Sequence, residues 1–155
     1  MSEQISRAGA TSLQKAVAGL SLALLLWSIG GLIVNPDFAT GEAATAERLL
    51  LVDFNGWHAV SGIGLAVPGL VAALRARWSF VFALVAAVAL AGTGVWALFE
   101  TRPAGLFYFP HNVTDALLHF GFAALYGAAA AVFTTAPHAR AGHTNVAVKR
   151  GLPRA

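Results

Sequence analysis

The sequence contains no cysteine and little charge: of 155 residues, 11% are Asp, Glu, Lys or Arg, against 57% hydrophobic. Without cysteine there is no disulfide, no thiolate chemistry, no Cys-ligated zinc and no Cys-ligated iron–sulfur cluster. The scarcity of charge constrains more, because soluble domains carry roughly 25% charged residues. A chain of mean hydropathy +0.69 cannot cover itself with polar groups in water. Hydrolase signatures are also missing, with neither a nucleophile elbow nor a phosphate-binding loop. A pI near 10 is compatible with nucleic-acid binding, yet the basic residues flank hydrophobic runs instead of forming a patch among aromatics, so no nucleic-acid partner is expected.

What is present is a set of uncharged runs of the length, about 20 residues, that crosses a hydrocarbon core. They are Ala16–Val34, Asn55–Leu74, Trp78–Phe99 and Val113–Thr134. The expected fold is therefore all-α, an integral membrane four-helix bundle and a single domain over 16–134. A short N-terminal segment (1–15) precedes it and a basic, solvated, disordered tail (135–155) comes after. The first run is read as a retained helix, since no small-x-small cleavage site follows it and it exceeds the roughly 7–15 apolar residues of a signal peptide.

Orientation is set by the basic residues. Eight of the ten Lys and Arg lie in the N-terminal segment (Arg7, Lys15), the loop between spans two and three (Arg75, Arg77) and the tail (Arg140, Lys149, Arg150, Arg154). The longer loops 35–54 and 100–112 hold only Arg48 and Arg102, with five acidic residues. Positive residues are retained in the cytoplasm, so both termini are expected inside and both longer loops outside. Trp57, Trp78, Tyr108 and Phe107–Phe109 fall near the span ends, where amphipathic rings anchor; Trp27 and Trp96 lie deeper and read as packing or lipid-facing residues.

Helices in lipid associate through close backbone approach, which small residues permit. Gly62 with Ala66, Ala123 with Gly127, and Gly127 with Ala131 mark candidate packing faces. Pro68 removes one backbone donor from span two and should bend it near Gly64.

The chemistry-bearing residues cluster where spans two and four enter from outside. Span two opens Asp53-Phe-Asn55-Gly-Trp-His58-Ala-Val-Ser61-Gly62, and span four opens Pro110-His111-Asn112-Val-Thr-Asp115-Ala-Leu-Leu-His119. At helical spacing His111, Asp115 and His119 share a face with Asn112, and Asn55, His58 and Ser61 share another. Ionisable groups turned toward lipid are costly, roughly 2.5–3.5 kcal/mol for Asp at a helix centre. The two faces are thus expected to meet, with spans two and four adjacent. The hairpins formed by spans one–two and three–four also read as a loose parallel duplication, each a polar-poor helix, an outward loop and then a helix opening with Asn or Asp before His.

The motifs Asn55-x-x-His58-x-x-x-Gly62 and Pro110-x-Asn112-x-x-Asp115-x-x-Leu118-His119 resemble a family of small four-helix membrane proteins found mostly in actinobacteria and catalogued as a domain of unknown function. The resemblance covers 16–134. It departs at Ala123, where the family pattern carries glycine. It implies the architecture and a bacterial plasma membrane, and it supplies no reaction.

Four readings of the polar stripes stand. The first is a structural or accessory bundle whose stripes hydrogen-bond to one another and which meets lipid, another membrane subunit or a second copy of itself. The second is a small-ligand or proton-relay site built on Asp115 and its histidines. The third is haem between His58 and His119, and the fourth is a metal held by His111, Asp115 and His119. No cofactor is required by the sequence, and no catalytic residue is assigned.

Overall fold

The computed structural model describes residues 2–102 and 107–135, with side chains from Ser12 to Arg102 and from Phe107 to Thr134. The basic tail beyond Thr135 lies outside the described residues. Four helices form the body: α1 (Ser2–Val34), α2 (Gly56–Ala72), α3 (Ala76–Ala97) and α4 (Val113–Thr135). Between α1 and α2 the chain makes a short 3₁₀ turn (Gly41–Ala43) and an antiparallel hairpin of β1 (Glu47–Leu49) and β2 (Val52–Phe54).

Three helices are long and apolar enough to cross a membrane: Ser12–Val34 within α1, all of α3, and Val113–Thr134. The first helix starts well before the expected span, at Ser2. Nothing in Ser2–Lys15 stops a helix, since the segment has no proline and Leu13 is already buried in the bundle core. The second is shorter than expected, 17 residues in place of 55–74. At ~1.5 Å per residue it spans about 25 Å.

It ends at Ala72 because the chain must turn at once into α3. Ser79 Oγ donates to the Ala72 and Arg75 carbonyls and Gln14 Nε2 donates to the Ala73 carbonyl, so acceptors left over at the helix end are satisfied from neighbouring helices. The helix continues through Pro68.

Close backbone approach holds the pairs together. Ser21 and Ser28 of α1 lie seven apart and pack directly on Gly69 and Gly62 of α2, also seven apart. Across the other pair, Gly94 of α3 receives the Phe120 ring, and Gly127 of α4 faces Ala87 at 3.9 Å from where its Cβ would stand. Of the residues expected to pack, Gly62 and Gly127 thus lie at contacts, while Ala66 and Ala123 are buried. The core runs through Leu13, Val17, Ala83, Leu90, Tyr126 and Ala130, and Ser21 Oγ and Tyr126 Oη hydrogen-bond at 2.9 Å in its middle. Outward faces are apolar, with Leu26, Ile33, Val71, Val88, Leu117 and Val132 among the exposed side chains.

The helices do not surround their axis evenly. α1 packs on all three others and α2 packs on α1 and α3, whereas α2 and α4 make no extended backbone approach. Spans two and four, expected side by side, meet only at their entrances, and a cleft separates them below.

The loop 35–54, expected only as an outward connection, is an ordered cover. Val52 and Phe54 are fully buried against Trp27, Leu32 and Leu49, and Asn35 Nδ2 donates to the Phe54 carbonyl. Leu50 at the hairpin tip adopts φ +58°, a conformation that glycine or asparagine normally supplies.

Gly31 allows Phe54 to sit flat against α1, for a Cβ there would collide with the ring. Phe54 cannot step aside, because its other face stacks on His58 at 4.6 Å. Gly31→Ala should therefore destabilise the protein by about 1–3 kcal/mol, the usual range for overpacking, read as a lowered midpoint in detergent-solubilised unfolding. An unchanged midpoint would mean that the hairpin floats free of α1.

Candidate functional site

Both entrance helices are started by an asparagine. Asn55 holds an extended backbone, and its Oδ1 accepts from the His58 backbone N–H at 2.9 Å. Asn112 does the same for Asp115, also at 2.9 Å. Each cap satisfies one of the N–H groups that a helix start leaves unpaired.

The amide nitrogens of the two caps then reach across. Asn55 Nδ2 donates to the Tyr108 carbonyl in the segment before α4, and Asn112 Nδ2 donates to the Leu51 carbonyl and to Asp53 Oδ2 in the hairpin before α2. Each helix entrance is thus tied to the chain leading into the other.

Capping sets the depth of the first ionisable side chain in each helix. His58 and Asp115 are both third in their helices, so they face each other across the gap, with His58 Nε2 3.6 Å from Asp115 Oδ1. His111 precedes α4, not lying on its face as the spacing suggests, yet its Nδ1–H donates to Asp115 Oδ2 at 2.6 Å. One turn further in, His119 Nδ1–H donates to the Asp115 backbone carbonyl at 2.9 Å and stands 3.5 Å from Oδ1. The result is one carboxylate, 3% exposed, surrounded by three imidazoles.

Ser61, expected on the same face, does not join them: its hydroxyl donates back to the His58 carbonyl and it lines the cleft.

Several residues that spacing did not single out shape this site. The Asp53 carbonyl sits 3.1 Å from His58 Nδ1. A carbonyl only accepts, so Nδ1 carries the proton and a neutral His58 presents a bare lone pair at Nε2. Phe54 stacks on the His58 ring, while Trp96 packs edge-on against His111 with Phe109 beside it. His111 Nε2 is buried with no hydrogen-bond partner among the described residues. Phe54 and Trp96 could not be found by periodicity, because one lies in a strand that carries no turn signal and the other belongs to a different span.

Below the cluster the gap between α2 and α4 opens into a cleft of about 400 Å³. His58, Ser61, Asp115 and His119 stand in its polar wall; Trp27, Leu65, Leu90 and Phe122 make most of the rest apolar.

The cover carries its own electrostatics. The Arg48 guanidinium, 2.8 Å away, holds the Asp53 carboxyl below the ordinary range, opposed by desolvation and helped by Asn112. Asp37 is lowered by the Thr45 hydroxyl and by the backbone N–H groups of Ala39 and Thr45.

Carboxylates lowered by folding stabilise the cover at pH above their unfolded value of about 3.9, and that contribution disappears as pH falls through the lower folded value. Protection of the Ala39 and Thr45 amides from hydrogen exchange, relative to the intrinsic rate at each pH, should therefore hold at pH 5 and be lost, as acceleration over that rate, only below the ordinary aspartate range. Acceleration already between pH 7 and 5 would show that other groups hold the loop.

Comparison with protein families matches residues 14–132 to the model of a domain of unknown function, DUF4383. No curated protein and no solved structure matches the chain.

Proposed function

Because this chain belongs to the DUF4383 family, a domain of unknown function whose model reaches from the first helix into the fourth, its role must be read from its own residues. We propose that it is a multi-pass protein of a bacterial plasma membrane, both termini cytoplasmic, with a site for a small cationic species at the outer mouth of α2 and α4. The three long apolar helices and the apolar outward faces support the membrane part. The placement of eight of ten basic residues at the termini and the α2–α3 turn supports the orientation. α2, at about 25 Å, is shorter than the ~30 Å hydrocarbon core; with the charged α2–α3 turn held at the inner boundary, its entrance and the cluster would lie slightly inside the outer one.

One observation carries the site. Asp115 Oδ2 is paired with His111, but no donor reaches Oδ1 in hydrogen-bond geometry among the described residues. The lone pair of a neutral His58 faces that oxygen. Two lone pairs turned toward each other at 3.6 Å on the wall of a cleft repel, and beside a carboxylate a proton or small cation relieves that repulsion more than a neutral water does. The carboxylate also occupies the ground between His58 and His119, which favours a proton or small cation there over a porphyrin.

The absence of cysteine makes the test direct. Thr40→Cys in the outer loop should react with an impermeant maleimide on intact cells, and Arg77→Cys only after permeabilisation. Ser61→Cys in the cleft wall should react faster with a cationic methanethiosulfonate than with an anionic one, and Asp115→Asn should abolish that preference. Equal rates for both reagents, or labelling of Arg77→Cys from outside, would overturn the reading.

A purely structural role has its own support in the crossed Asn55 and Asn112 hydrogen bonds, which tie the two hairpins as parallel repeats would be tied. It requires no charge preference in the cleft, so the same labelling separates the two.

A further inference from the structure

Resting on the cation-site reading, we infer that His58, Asp115 and His119 together hold a divalent transition-metal ion of the zinc class, with His111 orienting the carboxylate. Each of the three offers a ligating atom, and these atoms lie within 4.8 Å of one another. The individual separations are the informative quantity. A direct N–H···O bond between His58 and Asp115 would close to about 2.7–3.2 Å, whereas the edge observed is 3.6 Å and the corresponding His119 edge is 3.5 Å. Two ligands on a tetrahedral ion with bonds of about 2.0–2.2 Å stand roughly 3.4 Å apart. Both edges to the carboxylate are thus spaced for an ion, while the His58–His119 edge, within 4.8 Å, closes toward that length on binding.

The surrounding bonds fit that use. A metal-bound imidazole donates its other ring N–H to a carbonyl or carboxylate, which fixes its tautomer and aim. His58 does so through Nδ1–H to the Asp53 carbonyl, leaving Nε2 for the ion. His111 plays the corresponding part for the carboxylate: its Nδ1–H holds Oδ2, so that Oδ1 turns to His58 and His119.

Coordination through His119 Nδ1 replaces that atom's bond to the Asp115 carbonyl, which loses little because that carbonyl is also a helical acceptor in α4. Two imidazoles and a carboxylate, with no sulfur ligand in the cluster, suit zinc, cobalt or ferrous iron and not cuprous copper. The cleft that His58, Asp115 and His119 line leaves room for a water or a small ligand to complete the shell.

The test uses the full-length protein, purified without a histidine tag and reconstituted in nanodiscs. After equilibration with Zn²⁺ and removal of excess, elemental analysis should find one zinc per chain. Co²⁺ in its place should give the visible absorption of a four-coordinate site, which Zn²⁺ abolishes. His58→Gln and His119→Gln should each weaken binding at least about tenfold, and Asp115→Asn likewise, with helicity and monodispersity checked by circular dichroism and gel filtration. His111→Gln should weaken it about 10–100-fold, as loss of an orienting partner does.

The remaining histidines, His138 and His143, lie in the tail, and replacing both should leave binding intact. Binding that survives His58→Gln, that vanishes with the tail histidines, or that never exceeds background would refute the metal. Ser61→Cys separates the two levels of inference: bound Zn²⁺ should slow its labelling by the cationic reagent. A cationic preference with no zinc bound rejects the metal and keeps the cation site, whereas no preference and no zinc reject both.

Discussion

Replacing Asp115 by alanine is expected to destabilise the protein by about 3 kcal/mol, because it takes the acceptor from a buried hydrogen bond and leaves the donor unpaired. Among the described residues, the carboxylate accepts the only side-chain hydrogen bond that His111 makes and is the one anionic group facing His58 and His119. Its removal strands the His111 N–H, on a side chain 2% exposed, between Trp96 and Phe109. Asp115→Asn keeps an oxygen for that N–H and the backbone cap from Asn112, so it should cost clearly less while removing the charge. Unfolding of both variants in mixed micelles measures the order. An alanine variant as stable as the parent would mean that the carboxylate is solvated and the imidazoles do not depend on it.

Asn55→Ala is the second large effect, expected at about 3 kcal/mol. Losing an N-cap alone costs about 1 kcal/mol, but Asn55 is completely buried, and its amide also satisfies the Tyr108 carbonyl at 2.5 Å. The half-buried Tyr108 carbonyl, left without that donor, adds up to about 2 kcal/mol. Asn112→Ala removes the matching bonds at the other entrance. That residue is partly exposed and water can substitute, so about 1 kcal/mol is expected from the cap alone.

The asymmetry is the diagnostic. Equal effects would mean that burial does not set the cost. The Asn55 variant should also loosen His58, whose position as third residue depends on where the helix starts, and should weaken the cationic preference at Ser61→Cys.

Much of the bundle is legible without coordinates. Spans three and four differ from their helices by two residues or fewer at each end, and span one agrees at Val34 while its helix runs on through the polar flank to Ser2, because an apolar run without breakers has no reason to stop within itself and a polar flank does not by itself end a helix. The helix starts at Asn55 and Asn112 are legible for a different reason: a short side chain that can accept from the third N–H marks that boundary locally. The pairing of Gly62 with Ser28 is only half legible, since a small residue advertises that something comes close without naming the neighbour.

The hairpin 47–54 is illegible. Its tip is Leu50-Leu51, with none of the Gly, Asn or Pro that betrays a turn, and its strands are three residues long. It exists because Val52 and Phe54 find a buried place beside Trp27, a nonlocal gain that no window of sequence contains.

The candidate site divides along the same line. Hydrophobic run length, charge placement and four-residue spacing are local properties of one chain segment, and they alone determined that there are four apolar segments and that Asp115 lies within reach of His111 and His119. Whether His58 meets that carboxylate, at what distance, and with which nitrogen depends on packing between helices far apart in sequence and on a loop carbonyl at Asp53. Those relations arise from shape complementarity at Ser21, Ser28, Gly62 and Gly69 and from crossed asparagine bonds, so only the tertiary structure decided them.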